Sequence, residues 1–229
     1  MCMPVPGGAL MLGNCRFVAN EAVGRGGGLA IGEDGVARLA RCDFDSNVAA
    51  AGGAIAANAS SLIVSDSQCR GNVATSGGVA YCEHSSSAAF DHCTFAGNEC
   101  EGSAVVSATT GSAITLTNSL EAFNHGKSLL IEDAAVTLTV CDLYGNTKGD
   151  WIDSFADQVV ERGNFAADPC FCDAEAGELT LCADSFCLPG NHPWGGIGLV
   201  GARGQGCSAC DCQGPVAVAR GATRSEEHT

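Results

Sequence analysis

Carboxylates return to one place along this chain. Glu33-Asp34, Glu83-His84 and Glu132-Asp133 each stand about five residues after a Gly-containing stretch, and Asn58 and Thr109 hold the same place between them. Paired carboxylates at a defined separation hydrolyse glycosidic bonds, and an acidic cluster beside a basic proton acceptor serves polysaccharide lyases. The sharpest reading of the row is therefore a glycan site with Glu33, Asp34, Asn58, Glu83, His84, Glu132 and Asp133 as ligand-binding candidates. Neither Asn58 nor Thr109 is acidic, and no Arg or Lys stands in the row. No convergent acid and base are found, so no catalytic residue is assigned. A solvated loop edge is the plainer account of the same residues.

Cysteine offers a second kind of chemistry. Cys15, Cys42, Cys69, Cys93 and Cys141 recur with a common period, with Ser119 in the fifth repeat. Such a column reads as a metal ladder or as buried packing, and packing is the better account because free Cys behaves as a small hydrophobe. Further on, Cys207-x-x-Cys210-x-Cys212 beside Cys170-x-Cys172 offers thiolates to zinc. Structural zinc sites usually carry two Cys-x-x-Cys knuckles, and this chain has one, so no metal site is assigned. Fifteen Cys, seven of them between positions 170 and 212, point to disulfides and an extracellular or cell-surface location.

Other signatures fail on context. Gly196-x-Gly198-x-x-Gly201 has the spacing of a dinucleotide fingerprint, but no strand precedes it and no helix can follow it. No nucleophile elbow, P-loop or His-Glu-x-x-His occurs. His84, His92 and His125 belong to different columns and do not converge on a metal. Acidic residues outnumber basic ones by 26 to 11, a net charge of −15, which repels phosphate backbones and disfavours nucleic acid. Calcium sites would also use the acidity, yet no oxygen-ligand loop of recognised spacing is present, so no cofactor beyond a possible calcium ion is expected. No stretch approaches the length of a membrane-spanning helix, and membrane insertion is not expected.

The elements that must position these residues come from a repeat. Asn20, Asn47, Asn72, Asn98, Asn124 and Asn146 return at intervals of 22 to 27 residues, three of them preceded three positions earlier by Phe17, Phe44 or Phe95. Gly27-Gly28-Leu29, Gly52-Gly53-Ala54 and Gly77-Gly78-Val79 follow three of the Asn. Between them run short alternating β-branched stretches such as Ala135-Val136-Thr137-Leu138-Thr139-Val140, a strand pattern with no helical stripe. A unit this short buries its apolar face only by stacking on copies of itself. The expected fold is all-β, a parallel β-helix. The Asn column is expected to form a hydrogen-bonded ladder at one corner, and the Gly pairs a tight corner. Trp151 is expected to plug the end of the core.

Phe44-x-x-Asn47 together with Gly52-Gly53-Ala54-Ile55 resembles the paired repeat of polymorphic outer-membrane proteins and related bacterial β-helix proteins. The match covers roughly positions 10 to 150, with degenerate later copies such as Gly102-Ser103-Ala104. The stretch from Gly163-Asn164-Phe165 through Asp168 to Asp173 and on to Ala202 is similar to the closing module of secreted members. The resemblance implies a single-stranded right-handed parallel β-helix with a short disulfide-rich C-terminal cap that closes the solenoid, and a disulfide between Cys172 and Cys187. The resulting division is coils over 1–150, a cap over 151–212 and a linker over 213–223. Residues 224–229 are what a common sequencing-adapter DNA gives on translation, and Gly7-Gly8-Ala9-Leu10 reads as a worn copy of the Gly corner, with earlier coils upstream. The resemblance implies a secreted or cell-surface module for adhesion or carbohydrate binding. Its partner would be an extracellular polysaccharide or a host or cell-surface component. A polysaccharide lyase or glycoside hydrolase on the same fold, and a structural stalk, are the competing readings.

Overall fold

The computed structural model describes residues 8–192 and 195–208. The chain winds as a parallel β-solenoid whose strands stack coil on coil into three sheets. The first sheet holds Ala9–Gly13, Val36–Ala40, Ser61–Ser65, Ser87–Asp91, Ala113–Thr117 and Ala135–Thr139, paired in unbroken register. Its inward row runs Leu12, Leu39, Val64, Phe90, Leu116 and Leu138. The alternation read in the sequence is this row set against outward Ser, Thr and Ala. Burying each large apolar side chain contributes about 1.5–3 kcal/mol, and every coil repeats the gain against its neighbours.

Two left-handed corners flank each three-residue strand of the second sheet. Asn14, Arg41, Asp66, His92, Asn118 and Val140 have positive φ at the first corner, and Ala19, Ser46, Gly71, Gly97, Phe123 and Gly145 at the second. Non-glycine residues in this region carry a cost of about 1 kcal/mol or more, so neighbouring hydrogen bonds must hold them there. At the second corner those bonds are the Asn column. Asn47 donates from its backbone N–H and its Nδ2 to Asn72 Oδ1 at 3.0 and 2.9 Å. Asn72 does the same to Asn98, Asn98 to Asn124, and Asn124 to Asn146. Each Nδ2 also donates to a carbonyl on the previous coil, as Asn72 does to Phe44 at 2.9 Å. The series starts with Asn20 on Asn47 and ends on Asp150 Oδ1, which accepts from Asn146.

The first corner carries a quieter ladder. Ser67 Oγ accepts from the N–H of Cys42, Ser119 Oγ from Cys93, and Asn164 Oδ1 from Cys141. The Cys column therefore runs Cys42, Ser67, Cys93, Ser119, Cys141, and Cys69 does not belong to it. Cys69 pairs with Phe44 and Phe95 in the second sheet, so it fills the Phe position that the third repeat lacked. The same inward row continues through Glu121 to Leu143.

The end of the core is closed by a short 3-10 helix, Asp153–Val160. Phe155, fully buried, joins the main apolar cluster, and Gln158 Oε1 accepts from the N–H of Leu138 at 3.0 Å, standing in for a further strand. Trp151 is only half-buried; it packs beside Phe155 and its Nε1 donates to the Phe165 carbonyl. The end of the core is thus covered by two rings, Phe155 buried within the main apolar cluster and the half-buried Trp151 packed against it.

Beyond the helix the cap turns back along the outer face of the second sheet. Gly201 N–H donates to the Asn118 carbonyl, Ala202 N–H to Thr94 Oγ1, and Arg203 Nη2 to Asp43 Oδ1 at 3.0 Å, reaching the second coil. Phe165, Ala167, Leu181, Leu188 and Val200 bury Leu120 beneath them. A small sheet of Phe171–Asp173, Glu178–Cys182 and Gln205–Cys207 carries the disulfide Cys172–Cys207, with Cα atoms 5.9 Å apart. The pairing of Cys172 with Cys187 is incorrect. Cys187 is a free, buried thiol that faces the solenoid and donates to Asp142 Oδ2 at 3.3 Å. Cys170 and Cys182 are also disulfide-bonded. Cys210, Cys212, the proposed linker and the terminal 224–229 lie outside the described residues.

Two carboxyls are fully buried by this arrangement. Glu121 Oε2 accepts from Ser128 Oγ, and its other oxygen has no partner among the described residues. Asp142, between coil and cap, accepts from Ala167 N–H as well as from Cys187. Burial pushes both well above the usual carboxylate range.

Asn72→Ala orphans two donors on Asn47 and the carbonyl of Phe44, and should cost roughly 3 kcal/mol or more in urea unfolding. Asn20→Ala, at the partly exposed start of the ladder, should cost about 1 kcal/mol or less. Equal losses at both positions would contradict the ladder as a cumulative structure. The raised Glu121 and Asp142 contribute stability that is complete below their unfolded pKa and is lost as pH rises through the folded one. The thermal midpoint should therefore fall as pH rises above the ordinary carboxylate range of about 4, and Glu121→Gln should flatten that decline.

Candidate functional site

The third sheet bends at the Gly corners, and the bend makes a concave outer surface. One limb holds Glu21–Arg25, Val48–Ala51 and Val73–Ser76; the other holds Leu29–Ile31, Ile55–Asn58 and Ala80–Glu83. Glycine is required where the limbs meet. A Cβ on Gly27 would lie inside contact distance of the Gly53 carbonyl oxygen, and one on Gly53 would collide with that of Gly78. Successive corners therefore stack backbone on backbone. In the fourth coil Glu99–Thr109 is one long strand, and Ser103 Oγ and Ser107 Oγ, 3.2 Å apart, take the place of the open corner.

The concavity has a volume of about 720 Å³ and is lined by Gly26 to Gly28, Ala30, Ala56, Asn58, Tyr81 and Arg25, with Glu21 and Val23 on its rim. Pockets of about 300–1,000 Å³ with few convergent polar groups are typical of small-ligand sites. Here the polar groups converge on Glu83. Arg25 Nη2 donates to Glu83 Oε2 at 3.0 Å and its Nη1 is in contact with Oε1, from two coils away. The Arg25 Cζ also lies 6.0 Å from the centre of the Tyr81 ring. His84 Nδ1 is 2.9 Å from Asn58 Oδ1 and 3.6 Å from Glu83 Oε1.

Asn58, Glu83, Thr109 and Glu132 do share a row through the registers Glu83↔Asn58 and Thr109↔Glu132. Three of the seven candidate residues, Asn58, Glu83 and His84, come together. Glu33 is one place out of line, because Ile31 pairs with Ala57 and so Gly32 meets the row. Glu33, Asp34, Glu132 and Asp133 are exposed along the coil edge, and Asp34 and Asp133 sit at positive-φ turns. The reading that no basic group attends the row is corrected: Arg25 reaches Glu83 from the facing limb. Arg25 and Tyr81 were missed because they lie on different coils. The available signal was Arg25 immediately before the first Gly corner, and Tyr81 two residues before Glu83 and so on the same strand face.

Among the described residues Cys172, Cys182 and Cys207 have sulfurs within 4.8 Å of one another. Cys172 and Cys207 are joined as a disulfide and Cys182 is disulfide-bonded as well, so the cluster is a structural staple of the small sheet. No helix of the described residues is long and apolar enough to cross a membrane. Comparison with protein-family models, curated proteins and solved structures found no match.

The buried thiols of the coil interior are poor nucleophiles. Burial pushes Cys82, Cys93 and Cys141 up to about 12. In the folded protein at about pH 8 these three should resist alkylation while the half-buried Cys15 reacts, as read by peptide mass spectrometry. Rapid native labelling of Cys93 would overturn the packing role of the column.

Proposed function

We propose that this chain is a secreted or cell-surface binding module that holds a short stretch of an extracellular polysaccharide in the concavity of its first three coils, without cleaving it. The observation that carries this reading is a pocket of small-ligand size lined by Tyr81, Arg25 and Asn58, with the buried carboxylate of Glu83 held behind Arg25. A half-buried aromatic ring beside planar hydrogen-bonding groups suits a pyranose, which presents an apolar face and a rim of hydroxyls. The multiple disulfides of the cap and the acidic, charge-poor composition support an extracytoplasmic setting.

Binding is favoured over hydrolysis because the row neighbours of Glu83 are Asn58 and Thr109, which place no second carboxyl beside it. The next carboxylate on the row, Glu132, is two coils on, about 10 Å along the axis. Glycosidases place their two carboxyls about 5–9.5 Å apart with one of them free to act as acid.

The test is retention of the purified chain on immobilised neutral, amino and acidic polysaccharides, with and without calcium, together with an assay for new chain ends. Retention without cleavage is expected, and Tyr81→Ala should weaken it several-fold, the equivalent of about 1 kcal/mol. New chain ends that vanish in Glu83→Gln would make the site catalytic, and no retention on any polymer would leave the solenoid a spacer.

A further inference from the structure

The concavity already contains a cation, and the cation belongs to the protein. The guanidinium of Arg25 crosses from the first coil to the third, where it meets the two recognition elements that organic cations seek, a carboxylate and the face of an aromatic ring. The partners are unequal in mobility. The Glu83 side chain is 6 % exposed and lies behind the lining, covered by Arg25, whereas that of Arg25 is 50 % exposed and lines the concavity. Glu83 is too buried to stand uncompensated, so Arg25 can leave it only in exchange for another cation.

From this we infer that Arg25 is an internal stand-in and that the ligand of the groove carries a primary amine, an oligosaccharide of deacetylated amino sugars whose ammonium displaces the guanidinium from Glu83 and Tyr81. The inference rests on the polysaccharide-binding reading and names its chemical class. Charge supports it. Glu21 is the other charged residue of the lining, so displacing Arg25 leaves no cationic side chain facing the ligand. The whole chain, at −15, draws cations toward itself and repels uronate polymers. Asn58 Oδ1, on the same row as Glu83, is a further acceptor next to where the ammonium would lie. The Gly and Ala floor leaves room for sugar rings without adding a competing donor.

Removing Arg25 separates this arrangement from the ordinary one in which an arginine grips the ligand. If Arg25 competes, the groove of Arg25→Ala is always open and apparent affinity rises by the fraction of time that Arg25 had blocked it.

The experiment is calorimetric titration of the full chain and its variants with glucosamine oligomers, with N-acetylglucosamine oligomers of equal length, and with galacturonic acid oligomers. Circular dichroism and thermal melting would verify that each variant is folded. Wild type should prefer the amine-bearing oligomer roughly tenfold or more over the acetylated one and lose that preference as salt is raised. Arg25→Ala should bind it roughly three- to tenfold tighter. Glu83→Gln should lose the preference, and Tyr81→Phe, which keeps the ring face, should retain it. Weaker binding by Arg25→Ala, or equal or tighter binding of acetylated or uronate oligomers, overturns the inference and leaves the polysaccharide-binding reading standing. Absence of binding to all three oligomers overturns the inference, and the polysaccharide-binding reading falls with it only if the polymer retention assay is silent as well.

Discussion

A coil of this solenoid cannot satisfy its own corner. The backbone N–H beside each ladder Asn and the Asn amide itself both point to the oxygen of the Asn one coil further on, and that amide also reaches back to a carbonyl one coil earlier. A buried amide without partners costs several times what a formed hydrogen bond contributes, so each coil is admissible only when both neighbours are in place. The left-handed residues before each Asn, the three-residue strands and the apolar rows all depend on that mutual completion. At the last coil, where no further Asn is available, Asp150 supplies the missing acceptor.

The same accounting explains the buried acids. Glu121 occupies a place held by Phe in three other coils, where it sits beside a serine hydroxyl and burial favours its protonated form. Asp142 plays the corresponding part between coil and cap, where it joins the Ala167 amide to the Cys187 thiol. Glu121 is where the inward row gives up apolar contact, whereas Asp142 stands on the outward row of Asp43, Gln68, Thr94 and Leu120; both fall in the last two coils, where the solenoid passes into the cap.

Much of this was legible in the chain itself, and the limits have physical causes. The Asn period and the alternating strands report contacts between equivalent positions, which a repeat writes out in plain order. Cys69 was placed in the wrong column because it was counted by identity, whereas the register is set by the αL corner before Ser67. The Cys172 pairing was taken from a resemblance, and the cap folds so that Cys207 on the third strand of its sheet meets Cys172 while Cys187 turns inward. The Arg25–Glu83 contact spans 58 residues and joins two limbs of a bent sheet, and the bend is invisible until the Gly corners are stacked.

The cap running back beside the coils has a mechanical consequence. A load applied near Cys207 does not peel the last coil from the stack. It enters through the stapled small sheet and is carried by Gly201, Ala202 and Arg203 onto three different coils at once. Bonds loaded together in shear share the force, where bonds peeled from an end would break in turn. The cap thus works as a splint laid along the rod, and a tether joined to it would draw on the strength of the whole stack.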